Sequence, residues 1–398
     1  MAASSILASR KWTDDNTSSA NNDNAGTPEE PSYQKKSSEA LLLFLEVVRA
    51  GCVGVATDLE PVHHLETLGE GLSFSVKVHV RKRSGEFVLK VFKHSLVVGE
   101  NAAFDQNRFT ALMMEAHVLG HEPLHGHENI VTMTEINMAI RSNTPLQISP
   151  ALCLERAPHG TLNSFEQSVS KSQVSWAIRK MLCYDVAAGV KALHDCGIVH
   201  GDVKAENVLI FDHPARGYIA KISDFGSTVI LPADKSQTQK IRLPAYTPPF
   251  NAPEATSYMV PSELPLTDVY SLGLLMWRIL VHRDPFLLFD IPLDPELQLE
   301  RKGTILALSN IAGLIPCFIE EDVGFLDAKE ILLLVRIFAH TVSVDPKTRS
   351  LDRVLELLEQ HSGRPKDEYV PIGKHDRKVW QGLRSPVHRP HQTRNHPH

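Results

Sequence analysis

The sequence predicts an α+β protein of two unlike lobes, a small strand-rich lobe followed by a larger helical one. Three observations predict it. Within a central block over residues 62–362, the β-rich segments gather in the first third. Segments with helical apolar spacing fill the rest, and no internal repeat interrupts that order. The composition, 42% apolar and 22% charged over 398 residues, is that of a chain able to bury a core.

In chain order, Ser73–Val80 and Phe87–Phe92 read as strands, rich in β-branched and aromatic residues and separated by a polar, Gly-containing turn. A helix follows around Ala111–Leu119, then a strand at Ala151–Glu155. From Ser175 to His194, Trp176, Ile178, Met181, Leu182, Val186, Val190 and Leu193 recur at helical spacing. Asp268–Leu280 and Ala328–Val342 read the same way. These assignments divide the block into a small lobe over 62–157 and a large lobe over 158–362.

The flanks differ. Residues 1–38 are Ser-, Asn- and Asp-rich and predict disorder, because they cannot bury enough surface to offset chain entropy. Residues 363–398 predict a flexible tail, whose His388, His391, His396 and His398 have no rigid spacing to orient them on a metal. Between the first tail and the block, Ala40–Ala56 is apolar but carries Glu46 and Arg49. It is short for a membrane span and predicts an amphipathic helix within a helical extension over 39–61.

A net charge of −6 excludes a globally basic nucleic-acid binder. Five scattered cysteines, Cys52, Cys153, Cys183, Cys196 and Cys317, give no disulfide or zinc framework and predict a reducing compartment, the cytoplasm with the nucleus open. The first dozen residues hold two basic and no acidic side chains, a faint organelle-import pattern. No partner nucleic acid or membrane span is expected, and the oligomeric state is open.

The chemistry-bearing residues are dispersed. Leu68-Gly69-Glu70-Gly71 begins a run whose glycines let backbone N–H groups approach phosphate oxygens, with Val76 beyond. Alone, such a pair is more often a turn. Lys90 sits in an apolar strand, where lysine ordinarily faces solvent. A phosphate-holding role requires a carboxylate partner, and Glu115 in the next helix is the candidate. The segment His200-Gly201-Asp202-Val203-Lys204-Ala205-Glu206-Asn207 lies between apolar runs. Asp202 can accept a hydroxyl proton, Lys204 can offset charge on a transferring phosphoryl group, and Asn207 can give an oxygen to Mg²⁺. Asp224, in Ser223-Asp224-Phe225-Gly226, is a second hard oxygen ligand at a strand end.

With these segments in that order, the block resembles the eukaryotic protein kinases. Ala252-Pro253-Glu254 resembles the end of an activation segment, and Asp268–Gly273 the buried helix that anchors the catalytic loop. Arg349 resembles the family's late arginine, whose usual partner matches Glu254. Leu154-Glu155-Arg156-Ala157 resembles the adenine hinge, with Leu154 guarding the back pocket.

The resemblance implies the two-lobed protein-kinase fold, ATP and Mg²⁺ as cofactors, and a protein substrate. It implies adenine near Val76, Val88, Leu154, Ala157 and Leu209, with Glu155 and the Leu68–Gly71 loop contributing to the nucleotide site. It also implies Lys90 and Glu115 on the phosphates, Asn207 and Asp224 on the metal, and Asp202 with Lys204 at the transfer step. Lys204 and Thr247 point to Ser/Thr hydroxyls, while DVYSLGLLMW resembles the tyrosine-kinase-like group and leaves dual specificity open. The catalytic-loop wording resembles uncharacterised fungal kinases.

Three departures keep other readings open. Phe74 falls where the family has its third loop glycine, Val88 where it has alanine, and Gly201 where an arginine ordinarily receives an activation-segment phosphate. A pseudokinase scaffold and a small-molecule phosphotransferase are the alternative readings. His121, His125 and His127 match a loop and not a metal site, His200 a structural histidine, Trp277 a core residue, and Arg81-Lys82-Arg83 a solvated hairpin tip.

Overall fold

The computed structural model describes residues 54–62, 64–70, 73–81, 85–93, 106–143, 146–169, 174–232, 239–281 and 326–362, together with 44, 46, 49 and 51. The calls on 1–38 and 363–398 lie outside these residues, as do Gly71 and the Lys82-Arg83 tip.

Among the described residues the small lobe is a six-stranded sheet with a helix packed on it. In chain order its strands are β1 (Gly54–Pro61), β2 (Thr67–Glu70), β3 (Phe74–Arg81), β4 (Gly85–Phe92), β5 (Met133–Asn143) and β6 (Leu146–Glu155). Helix α1 (Gln106–Leu119) enters between β4 and β5. The spatial order is β1-β5-β6-β4-β3-β2, with only β1 against β5 running parallel.

Strand alternation sorts β4 into two faces. Phe87, Leu89 and Val91 join Val62, Ala139, Ala151 and Cys153 in a small cluster on one side. Val88, Lys90 and Phe92 face the other side, where α1 and the main core lie. On α1 the residues Phe109, Leu112, Met113, Ala116 and Leu119 are buried at helical spacing.

The expectation of a helical extension over 39–61 is corrected. Positions 44, 46 and 49 are helical, and Phe44 is buried in the main core, but Gly54–Pro61 is strand β1. Gly51 and Gly54 break the apolar run, and Val55, Thr57 and Leu59 alternate at the strand period. The sheet therefore begins before residue 62, where the small lobe was expected to start.

The large lobe is built on α3 (Trp176–Asp195) and α4 (Pro265–Val281), preceded by the short α2 (Leu162–Ser168) and completed by α5 (Ala328–Ala339) and α6 (Leu351–Ser362). Ser175 caps α3, its hydroxyl accepting from the Ile178 N–H at 3.3 Å. Asp327 caps α5, accepting from Lys329 and Glu330. Trp277, on α4, is core, tilted against Phe338 with ring centroids 5.1 Å apart. Two antiparallel pairs belong to this lobe: the hairpin of β8 (Val208–His213) with β9 (Gly217–Ile222), and β7 (Ile198–Val199) with β10 (Val229–Ile230). The helices expected from Ser175, Asp268 and Ala328 are all present within a few residues.

Candidate active site

Lys90 leaves the middle of β4 with its side chain on the inner face, and Glu115 leaves the second half of α1. Their side chains meet. The Lys90 ammonium donates to both Glu115 oxygens at 2.7 Å and to Asp224 Oδ1 at 3.0 Å. Glu115 is fully buried. Burial opposes the Lys90 charge, but Glu115 and then Asp224 outweigh it and hold the lysine above its ordinary range. Lys90 in turn depresses Asp224. Burial raises Glu115 to about 7 against the pull of Lys90, and the second carboxylate adds to the rise.

Asp224 lies two residues past the end of β9 and has φ +63°, the left-handed region that non-glycine residues seldom adopt. Such strain persists where the surroundings enforce it, often at functional sites. Gly226, two residues on, approaches α1 closely: a Cβ there would lie 3.2 Å from that of Ala111.

The catalytic-loop residues lie between β7 and β8 and are held from below. The fully buried Asp268 of α4 accepts from the His200 N–H at 2.8 Å and the Gly201 N–H at 2.9 Å, and its Oδ2 lies 2.9 Å from His194 Nε2. His200 is structural, as expected. Its Nδ1 accepts from the Asp202 N–H, so Nε2 carries the hydrogen that reaches the Ser223 carbonyl at 3.1 Å.

Above this anchor, Asp202 is bonded on both oxygens. Thr247 Oγ1 donates to Oδ1 at 2.6 Å, and Lys204 Nζ donates to Oδ2 at 2.6 Å and to Thr247 Oγ1 at 2.8 Å. Asn207 Nδ2 donates to the Asp202 carbonyl at 2.8 Å. The Asn207 carbonyl accepts from the Ser223 N–H at 2.9 Å, which ties the catalytic loop to the residue before Asp224.

Gly201 has φ +81°, and a Cβ on it would sit 2.8 Å from the Ser227 carbonyl oxygen. The start of the activation segment therefore packs against the backbone where the resemblance leads one to expect an arginine.

The structure brings Val76, Val88, Lys90 and Leu154 to one face of the sheet. Val76 opposes Lys90, and Val88 opposes Leu154 in the sheet register. Val88 and Leu209 are half-buried against the main core, and Leu154 is buried. Glu155 and Ala157 lie at and just beyond the end of β6. Leu68 is exposed at the β2 edge beside Gly69. One contributor escaped the sequence reading: Lys221 of β9 donates to the Glu155 carboxylate at 2.8 and 2.9 Å and bridges the lobes at the hinge. An isolated lysine in an apolar strand gives no spacing signal.

Beyond the cleft, Arg349 and Glu254 form the ion pair suggested by the family resemblance. Nη2 lies 3.2 Å from Oε2, and the guanidinium also stacks over Tyr270 at 4.8 Å.

This fold and this set of converging charges define a protein kinase. The family model described as "Protein kinase domain" matches residues 62–297, and the chain belongs to that family. Among its relatives are the probable serine/threonine-protein kinase drkB of Dictyostelium discoideum (31% identical, covering 36% of this chain and 20% of that protein), the serine/threonine-protein kinase PSK1 of Saccharomyces cerevisiae (24%, covering 59% and 16%) and the CBL-interacting serine/threonine-protein kinase 17 of Arabidopsis thaliana (29%, covering 55% and 46%). The chain spans less than half the length of each. Among the described residues no helix is long and apolar enough to cross a membrane.

Proposed function

We propose that the chain is an ATP-dependent protein kinase acting on Ser/Thr hydroxyls. The observation that carries this reading is the convergence of Lys90, Glu115 and Asp224 on one side, and Asp202, Lys204, Thr247 and Asn207 on the other, from segments far apart in sequence.

Each residue then has a task. Adenine lies among Val76, Val88, Leu154, Ala157 and Leu209, against the hinge at Glu155. Gly69 faces open space, so internal packing does not require a glycine there, and the bare backbone suits close approach by phosphates. Lys90, steadied by Glu115, binds the α- and β-phosphates. One carboxylate and one amide oxygen, from Asp224 and Asn207, are hard donors that suit Mg²⁺, which takes few protein ligands and completes its shell with phosphate and water. Bound there, Mg²⁺ supplies neutralisation of phosphate charge.

Asp202 orients the substrate hydroxyl and receives its proton as the oxygen bonds to the γ-phosphorus and the bond to the β-phosphate oxygen breaks, releasing ADP. Lys204 offsets charge on the moving phosphoryl group, and Thr247 fixes both. The transition state is loose, so positioning and charge carry most of the acceleration. The bonds of Lys204 and Thr247 to Asp202, with the Ser/Thr names of the relatives, favour Ser/Thr over Tyr.

A second reading, a nucleotide-binding scaffold without turnover, draws on Phe74, whose ring lies against Lys90. A radiolabelled-ATP transfer assay separates the two. Asp202→Asn is expected to lose about 10²- to 10⁴-fold in rate; equal transfer by both proteins would favour the scaffold.

A further inference from the structure

Phe74 opens β3 directly across from Phe92, and strand alternation puts it on the same face as Val76 and Lys90. The residue is only 7% exposed. It rests 5.8 Å from the Phe92 ring, and the Lys90 ammonium lies 4.6 Å from its centroid. The ammonium has three N–H donors. Two go to Glu115 and one to Asp224, while the aromatic face covers a further side. A phosphate oxygen must therefore share a donor with one of these carboxylates, at an ammonium that already has the ring against it. The hairpin that carries the ring is fastened as well. Ser75 Oγ donates to Glu70 Oε1 at 2.7 Å, and Lys93 pairs with the same carboxylate.

We propose that Phe74 is a displaceable cap on Lys90 that sets nucleotide affinity: a triphosphate must move the ring aside before it reaches the ammonium. This rests on the kinase reading, since it concerns the same phosphate site. The cap opposes only ligands that carry phosphates. A nucleoside, held by the apolar residues around Val88 and Leu154, does not meet it. A cation–π contact in a desolvated place is strong enough for its release to alter affinity by about tenfold.

The test measures binding of adenosine, ADP and ATP with Mg²⁺ to the full chain by titration calorimetry, for wild type, Phe74→Gly and Phe74→Leu. The expected result is ADP and ATP binding about tenfold tighter in Phe74→Gly and about threefold tighter in Phe74→Leu, with adenosine unchanged. Unchanged or weaker ADP and ATP binding overturns the cap. So does an equal gain for adenosine, which would make Phe74 a packing residue of the whole hairpin. If Phe74→Gly loses its cooperative thermal transition, Phe74→Leu is judged by the same criteria.

Binding is read without turnover, so the two proposals fail separately. Loss of transfer in Asp202→Asn with no phosphate-dependent gain at Phe74 sinks the cap and spares the kinase. The phosphate-dependent gain with no transfer by any form does the reverse.

Discussion

Lys90 is shared by two carboxylates of unlike surroundings, and the difference sets a pH dependence. Glu115 is buried and raised above its ordinary value to about 7, whereas Asp224 is half-exposed and depressed by the ammonium beside it. Between about pH 4.5 and 7 the folded chain holds a proton at Glu115 that the unfolded chain has released, so this group makes stability fall as pH rises through that window. Asp224 acts oppositely: its contribution is present above its unfolded value, near 3.8, and is lost as pH falls below it. Thermal unfolding across pH should show the decline toward neutrality flattened in Glu115→Gln and the acid loss reduced in Asp224→Asn. An unaltered profile in both variants would contradict these directions. In transfer assays Lys90→Met should lose about 10²- to 10⁴-fold in rate, as the only cation joined to both carboxylates among the described residues is removed.

Two elements, α4 and the activation segment, grip the catalytic loop from opposite sides. Asp268→Ala orphans the buried His200 N–H, at about 1–3 kcal/mol, and also the half-buried Gly201 N–H; denaturant titration should show the loss, and transfer should fall with it. On the other side, Gly201→Ala must adopt a strained φ and displace the Ser227 carbonyl, which costs about 1–3 kcal/mol. For the same reason Gly201→Arg should not create a phosphate-receiving arginine. It should lower the melting temperature and leave activity independent of phosphorylation at Ser227 and Thr228, checked by alanine replacement at both. The elements were legible wherever periodicity was long, as in α3 and α4. Asp202 through Asn207 stood out because each residue type has a chemical task at its spacing, whereas the pairing of Lys90 with Glu115, which the structure joins, rested on the family resemblance. β1 was not, since an apolar run broken by two glycines gives helix and strand periods together. The Phe74 ring could be placed at a departure from the family pattern, but its contact with Lys90 depends on the β3–β4 register, which no local pattern specifies.

Across the whole molecule, residues distant in sequence are tied by a few buried charges. The Arg349 side chain is fully buried and is met by Glu254 and the Leu266 carbonyl. Arg349→Ala leaves Glu254 without its cation, a loss of about 3–5 kcal/mol expected in chemical denaturation. A smaller effect, under about 1 kcal/mol, would mean the pair behaves as a surface one. Lys221 and Glu155, a half-buried pair, join β9 to the end of β6 and brace the proposed adenine hinge from the large lobe.

The parallel pairing of β1 with β5 has a practical side. Its register runs from Gly54 opposite Glu135 to Pro61 opposite Ile140, so β5 is shielded along most of its length. A recombinant fragment cut at Val62, where the family match begins, would lay bare that row of N–H and C=O groups and invite edge-to-edge association of neighbouring molecules. Light scattering should find such a fragment self-associating at concentrations where one retaining the residues from 40 onward stays dispersed.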